Sequence, residues 1–530
     1  MTMKRWNGWG NEETDYPVPP AALEYLAAHL GALEPRFDAR LQDVIGTVPV
    51  SRLPAHPALE TDPETRLRHA LGQSLPDWVA LRFGRIKAFP DAVARPTSAE
   101  DVRDLLAFAR DVGARVIPYG GGTSVVGHIN ATADGAPVLT VSLEYLDQVL
   151  ELDDTSRLAT VEAGVSGSHL ERQLQARGYT LGHFPQSFEY STLGGWIATR
   201  SRGQQSYHYG PIEEMFAGGH LETPRGPLHL PAFPASAAGP DLRELVLGSE
   251  GRLGVIVQAR VRVRTRPEAE EFQGIFFPTW EKSVGATRAM VQSDLPVSML
   301  RLSSPLETEI TLALAGKRWI EWADRGLRLV GFGRERCLLI FGVTGTAGQV
   351  RRTRGSVVAL GRRFDGMPVG TRVGQMWQKN RFLSPYLRNT LWEHGVAVDT
   401  LETALPWSRV TAAVEAVPRA IVQAAEAHGE RVLAFVHLSH LYRDGASLYT
   451  TYMFRRGADP DELLAHWREM KHAASLVLQA HGGTITHQHG VGLDHASYLP
   501  AEKGRLGLDV LRAAFKACDP DGLMNPGKLL

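Results

Sequence analysis

The chain has 530 residues, with 57 Lys and Arg against 58 Asp and Glu, and this net charge of −1 excludes a dedicated nucleic-acid binder carrying a basic excess. Its hydrophobic share of 43% is ordinary for a globular protein, and its length exceeds one ordinary core, so two or more domains are expected. Two cysteines, Cys337 and Cys518, exclude a disulfide framework and a cysteine-rich metal site; with no leader-like N-terminus and no run of about 18 apolar residues, a soluble cytoplasmic protein is expected.

Residues 1–80 read as an extension. Pro17, Pro19 and Pro20 precede a helical patch over 21–30, which Gly31 closes, and prolines recur at 49, 54, 57, 63 and 76. Thr97-Ser98-Ala99-Glu100 then reads as a capping box, and Val102, Leu105, Leu106 and Ala109 as a helical stripe ending near Gly113. The helix hands over to an apolar strand, Val116 and Ile117, which runs into Pro118-Tyr119-Gly120-Gly121-Gly122-Thr123-Ser124. Three adjacent glycines remove every Cβ from a turn, so successive N–H groups can approach a ligand's oxygens as an anion-binding concavity. The known nucleotide motifs do not fit. Val125 stands where a G-x-G-x-x-G pattern needs glycine, and His128 follows Gly127 where a P-loop needs lysine. A tight strand turn is the alternative at this point.

Residues 138–143 and 158–161 read as strands, and 168–177 as a helix closed by Gly178. Val255, Val257, Ala259, Val261 and Val263 alternate with Gln258, Arg260, Arg262 and Arg264, the period of a half-buried strand. Two more glycine-rich stretches frame these elements. One spans 184–203 and contains Gln186, Ser187, Phe188, Glu189, Tyr190, Ser191, Thr192, Thr199, Arg200, Ser201 and Arg202. The other spans 247–256 and ends in Glu250, Gly251, Arg252, Leu253, Gly254, Val255 and Ile256. Small hydroxyl residues beside glycines suit a pyrophosphate and a ribityl chain laid along the backbone.

Beyond residue 268, polar aromatics and histidines gather in three places: around Arg388, between His437 and Tyr442, and in Thr486-His487-Gln488-His489-Gly490-Val491-Gly492. Arg offers a planar charged fork for a carboxylate or phosphate, Tyr can shuttle a proton, and His works near neutral pH. Taken alone, Arg388 reads as a surface ion pair and Tyr442 as a half-buried sheet residue. His487 and His489, two apart, would share one strand face and also suit a metal, but no carboxylate stands at suggestive spacing to complete a ligand set.

The three glycine-rich stretches in this order, with the ending Asn525-Pro526-Gly527-Lys528, resemble the FAD-linked oxidases of the vanillyl-alcohol oxidase / p-cresol methylhydroxylase type. The resemblance implies an α+β fold, with a two-part FAD-binding domain and an α/β cap domain. The expected division is an extension over 1–80, the FAD-binding domain over 81–267, the cap over 268–490, and a C-terminal segment over 491–530 returning to the FAD site. It places the pyrophosphate on Pro118, Tyr119, Gly120, Gly121, Gly122, Thr123 and Ser124, with Gln186 to Thr192 beside the flavin and 199–202 and 250–256 completing the site. Thr123 stands where some relatives tether FAD through a histidine, which implies non-covalent FAD.

A narrower resemblance rests on Trp6-Asn7-Gly8-Trp9-Gly10, on 184–196, on Leu401-Glu402-Thr403-Ala404-Leu405-Pro406-Trp407, on Tyr442-Arg443-Asp444-Gly445-Ala446-Ser447 and on 486–492. These stretches are similar to the alkyldihydroxyacetonephosphate (alkylglycerone-phosphate) synthase family. The resemblance implies a transferase of ether lipid synthesis that exchanges the acyl group of acyl-dihydroxyacetone phosphate for a fatty alcohol, through an adduct at flavin N5 and without net redox. It makes Tyr442 the proton donor and acceptor, Arg388 the substrate-anion clamp, and His487, Gln488 and His489 the active-site histidine run. Two departures stand out. Gln488 interrupts a run of three histidines, and His437 stands near the family's arginine. They keep open an FAD-dependent oxidase or dehydrogenase of a 2-hydroxy acid, with Arg388 holding a carboxylate. A small-molecule or lipid substrate is the implied partner, with peripheral membrane contact and a homodimer left open.

Overall fold

Ser98, one residue later than the sequence suggests, caps the helix Ala99–Asp111 in the computed structural model, which describes residues 3–35, 38–314 and 326–530. Ser98 Oγ accepts from Asp101 N at 3.1 Å, while Thr97 donates its backbone N–H and its hydroxyl to the Asp101 carboxylate. Asp101 therefore does at the third helical position what Glu100 was expected to do. The helix buries Val102, Leu105, Leu106 and Ala109, the stripe its period marks out. It delivers the chain into the strand Arg115–Tyr119, which pairs in parallel with Val138–Ser142, itself parallel to Ala92–Ala94. Leu59–Glu60 closes that four-stranded sheet antiparallel.

A second sheet of five strands, all antiparallel, runs Val149–Asp153, Leu158–Glu162, Val255–Arg262, Phe216–Thr223 and Gly226–Leu230. Both sheets share one apolar core, which includes Val116, Val141, Val161, Trp196 and Val261, and which Val491, Leu523 and Met524 join from the chain's end. The return is a backbone pairing: Val116 N donates to Leu523 O at 3.0 Å, and Asn525 N to Val116 O at 2.8 Å. The C-terminus is thus hydrogen-bonded to the strand that feeds the first glycine loop.

Tyr179–Thr180 and Arg264–Thr265 pair as a two-stranded sheet, and the largest sheet has seven antiparallel strands in the order Met367–Gly370, Ala269–Phe277, Cys337–Gly345, Met299–Ser303, Val432–Leu441, Gly445–Arg455 and Val396–Pro406. The helices Trp407–Glu426 and Pro460–Ala480 share its core through Val410, Val417, Trp467 and Met470. Residues near the N-terminus attach to this part. Trp9, Leu75 and Trp78 pack with Tyr386 and Trp392, and Asn389 bonds both the N–H and the C=O of Trp9. The helix Pro20–Leu30 starts on a proline and ends at Gly31 in the left-handed region (φ 93°). Its Leu26 and Leu30 are buried against Leu391, Phe435 and Met453, each such side chain contributing about 1.5–3 kcal/mol.

Two sequence expectations fail here. Tyr442 lies just past the strand Val432–Leu441, in the turn before Gly445–Arg455, where its N–H donates to Gly445 O at 2.8 Å. His487 and His489 stand in an irregular segment, so no strand places them on one face. Side-chain acceptors described below hold that segment instead.

Candidate active site

The triple glycine is required by what packs on it. A Cβ on Gly121 would stand 1.8 Å from Tyr190 O, and one on Gly120 would meet Thr192 Oγ1. Gly122 has φ +74° and lies against the Tyr119 hydroxyl. The first loop is therefore pressed directly on the backbone of the second, and Gly121 answers to that contact before it answers to any ligand. Replacing Gly121 with Ala forces the two loops apart. The expected result is colourless or poorly folded protein, read by flavin absorbance and melting temperature; yellow protein of normal stability would refute the packing argument.

Where the loops meet the seven-stranded sheet, a cavity of about 970 Å³ opens, near the upper end of ordinary ligand sites. Among the residues expected at the cofactor, Pro118 to Ser124, Gln186, Ser187, Ser191, Thr192, Thr199, Ser201, Arg202, Glu250, Gly251, Gly254 and Ile256 line it. Phe188, Glu189, Tyr190, Arg200, Arg252, Leu253 and Val255 do not. Arg200 turns to Glu244 and Leu247 O, Arg252 to Met524 O, and the Tyr190 hydroxyl bonds Tyr386. Glu250 lines the wall with its charge already engaged: Oε1 accepts from Val491 N at 2.6 Å and Oε2 from Gly492 N at 2.8 Å. His128 Nε2 lies 3.2 Å from Glu250 and its Nδ1 2.8 Å from Ser124 Oγ.

The cap brings a group of titratable side chains to the same cavity. His440, Gln488 and His489 line it beside Arg202 of the second glycine-rich stretch, whereas Tyr442 and His487 are not among its lining residues. Tyr442 Oη and His487 Nε2 are 2.5 Å apart, and the Arg202 guanidinium stands over the tyrosine ring at 5.5 Å. Burial pushes the Tyr442 hydroxyl up to about 12, against the pull of Arg202. Burial, then the neighbouring His440 and Arg202, hold His487 well below its ordinary value. The resting pair is a neutral phenol on a neutral imidazole. His440, with its ring 5.1 Å from His487, is pushed down to about 3 by burial and Arg202.

Arg388 is one of four arginines on the cavity lining, with Arg202, Arg301 and Arg381. Its guanidinium stacks on Trp78 at 4.2 Å and Nη1 donates to Gln73 O at 2.6 Å, but Nε and Nη2 are buried with no hydrogen-bond partner among the described residues. Burial lowers it to about 10 against the opposing charges of Asp399 and Asp77, which leaves it charged at neutral pH. A buried cation with unused donors on a cavity wall calls for an anionic ligand. Arg301 lies on the wall near His437, already paired with Glu307 at 2.6 Å. Sequence reading passed over Arg301, Glu307, His440 and Glu402 as site residues, although His440 and Glu402 lie within the motifs quoted above. No group of three or more His, Cys, Asp and Glu among the described residues could hold a metal ion.

Residues 266–529 match the family of FAD linked oxidases, C-terminal domain, and residues 90–229 match the FAD binding domain family. Alkyldihydroxyacetonephosphate synthase of Dictyostelium discoideum is 31% identical over 485 residues, covering 89% of this chain and 78% of that protein. The chain belongs to the alkyldihydroxyacetonephosphate synthase family. A solved alkyldihydroxyacetonephosphate synthase superposes with a TM-score of 0.85 at 27% identity, over 99% of this chain and 98% of that one. p-Cresol methylhydroxylase shares the fold at a TM-score of 0.65 and 14% identity over 96% of both chains. The mitochondrial D-lactate dehydrogenase (cytochrome) of Arabidopsis thaliana is more distant, 26% identical over 484 residues, covering 89% of this chain and 78% of that protein. FAD is the cofactor of this family member, and the residues fit it. Gly120, Gly121 and Gly122 line the cavity, Thr123, Ser124, Ser191 and Thr192 add hydroxyls, and the Glu250 carboxylate beside them is bonded to Val491 N and Gly492 N.

Proposed function

We propose that this enzyme is an alkyldihydroxyacetonephosphate synthase, exchanging the acyl group of acyl-dihydroxyacetone phosphate for a fatty alcohol. The observation that carries the reading is the pairing, in one cavity, of Arg388 with an apolar limb. That limb is walled by Phe276, Met299, Ile310, Leu338, Met376, Leu391, Phe435 and Met453. A phosphorylated head with a long chain needs both features, at about 0.8 kcal/mol per buried methylene. A small 2-hydroxy acid would use the arginine and leave the limb empty. FAD, when bound, would supply an electrophilic ring system to this reaction. Arg388 holds the phosphate, the limb excludes water from the chain, and Tyr442 with His487 holds or moves one proton. The pocket takes FAD without a covalent link, since Thr123 offers no tethering imidazole, and acid should release the flavin intact.

Acyl-dihydroxyacetone phosphate and hexadecanol, incubated anaerobically with the enzyme, should give ether product and free fatty acid with the yellow absorbance retained. Rapid bleaching by lactate or glycolate with no ether formed would overturn the reading in favour of 2-hydroxy-acid oxidation.

Contact with a lipid surface belongs to the same proposal. Leu329 and Val330 are 88% and 61% exposed, and Leu327, just before them, lines the cavity. No helix among the described residues is long and apolar enough to cross a membrane, so surface contact would rest on such side chains. The double change Leu329→Glu, Val330→Glu should abolish co-sedimentation with phosphatidylcholine vesicles and leave turnover of detergent-dispersed substrate unchanged. Undiminished co-sedimentation would place the contact elsewhere.

A further inference from the structure

Within the segment carrying His487, Gln488 and His489, one carboxylate takes up two backbone amides. Glu402, 3% exposed in the strand Val396–Pro406, accepts the backbone N–H of Gln488 and that of His489 on the same oxygen, Oε1, each at 2.6 Å. Its other oxygen, Oε2, is buried and has no hydrogen-bond partner among the described residues; the same is true of His487 Nδ1. These two unpartnered atoms lie 3.9 Å apart. On the far side of the ring, His487 Nε2 lies 2.5 Å from the Tyr442 hydroxyl. The imidazole stands between a carboxylate oxygen and a phenol.

A neutral imidazole carries its proton on one nitrogen and a lone pair on the other. A proton on Nδ1 points at the carboxylate, within about 1 Å of hydrogen-bonding range, and leaves Nε2 to accept from Tyr442. The opposite tautomer sets the Nδ1 lone pair against an anion and turns Tyr442 into an acceptor. We infer that Glu402 is a positioning residue of this reaction: it fixes the Nδ1–H tautomer of His487, so that Tyr442 donates to Nε2, and it balances the charge that arises on the ring when that proton crosses. In the crossing, the Tyr442 O–H bond breaks and its electron pair stays on oxygen, while the Nε2 lone pair forms the new N–H bond. No electrons leave the pair and no co-reactant is needed. The other groups facing it are Arg202, His440 and His489 around the imidazole, and Arg202, Glu213 and Asp444 around the phenol. Arg202 opposes a second positive charge beside it, which makes a carboxylate at the ring's other edge the offsetting charge. The inference rests on Tyr442 being the group that exchanges a proton with substrate.

Glu402→Gln separates this role from simple support of the segment. Glutamine still offers an oxygen to the Gln488 and His489 amides, but places an NH₂ group where Oε2 stands. In FAD-loaded protein labelled with ¹⁵N-histidine, wild-type His487 should carry its proton on Nδ1, and Glu402→Gln should move it to Nε2. Turnover should fall by up to about 10⁴-fold, the loss seen when a triad histidine is left in the wrong tautomer, with KM, FAD content and melting temperature near wild type. Glu402→Asp, which keeps the charge, should restore the Nδ1–H tautomer. A wild-type His487 protonated on Nε2, or Glu402→Gln with unchanged tautomer and turnover, would overturn the inference. The ¹⁵N measurement needs no turnover, so a failure of the Tyr442 reading, seen as full activity in Tyr442→Phe, is distinguishable from a failure of this one.

Discussion

Replacing Tyr442 with Phe lowers turnover by about 10²–10⁴-fold while the protein keeps its FAD and its fold. The substitution removes one hydroxyl and little volume. The structural bond at this position belongs to the backbone, where Tyr442 O accepts from Trp407 Nε1 at 3.0 Å, and it survives the change. What disappears is the proton on the 2.5 Å contact to His487. With the hydroxyl near 12, a free tyrosinate is scarce at neutral pH, so activity depends on the imidazole being there to take the proton. Steady-state ether formation, with flavin absorbance as the control for cofactor content, measures the effect. Full activity in Tyr442→Phe would remove the residue from the mechanism and move the proton to a group that lines the cavity, such as His440.

Arg388→Lys raises KM for the phosphorylated substrate by about 10–100-fold, the weight of one or two hydrogen bonds to a charged group, with a smaller change in kcat. Three features fail together in the lysine variant. An ammonium cannot present the planar fork of Nε and Nη2, it stacks less well on Trp78, and it loses the reach of Nη1 to Gln73 O. FAD content should hold, because the bond Arg388 makes to the protein is to Gln73 O rather than to a residue of the glycine-rich loops. An unchanged KM would assign the anion to another arginine of the lining, Arg202, Arg301 or Arg381.

The fold was legible where sequence pattern and burial have the same period. The stripe Val102, Leu105, Leu106 and Ala109 is the buried face of its helix, and the alternation from Val255 to Val261 is the buried face of its strand. The glycines 120–122 were legible because a turn without Cβ atoms has few other uses, although what they approach first is the backbone of 190–192. Capping was misread by one residue, since Thr97 and Ser98 both carry hydroxyls and Glu100 and Asp101 both carry carboxylates; only backbone geometry chooses between them.

By itself, then, the sequence determined the order of the loops, the family they belong to, and that Arg388, Tyr442 and the 487–489 run are residue types fit for anion binding and proton transfer. The tertiary structure decided which atoms meet. Glu402 reaches Gln488 N across 86 positions, Glu250 reaches Gly492 N across 242, and Arg388 reaches Gln73 O across 315. No local periodicity encodes such pairings, because a carboxylate on a strand has the same sequence signature whether it faces solvent or two backbone amides. It also decided that Arg200, within a glycine-rich stretch, turns to Glu244, while Arg202, two residues on, stands over Tyr442. The physical reason is the left-handed backbone of Arg200 (φ 53°) at the helix end, which redirects the chain between them.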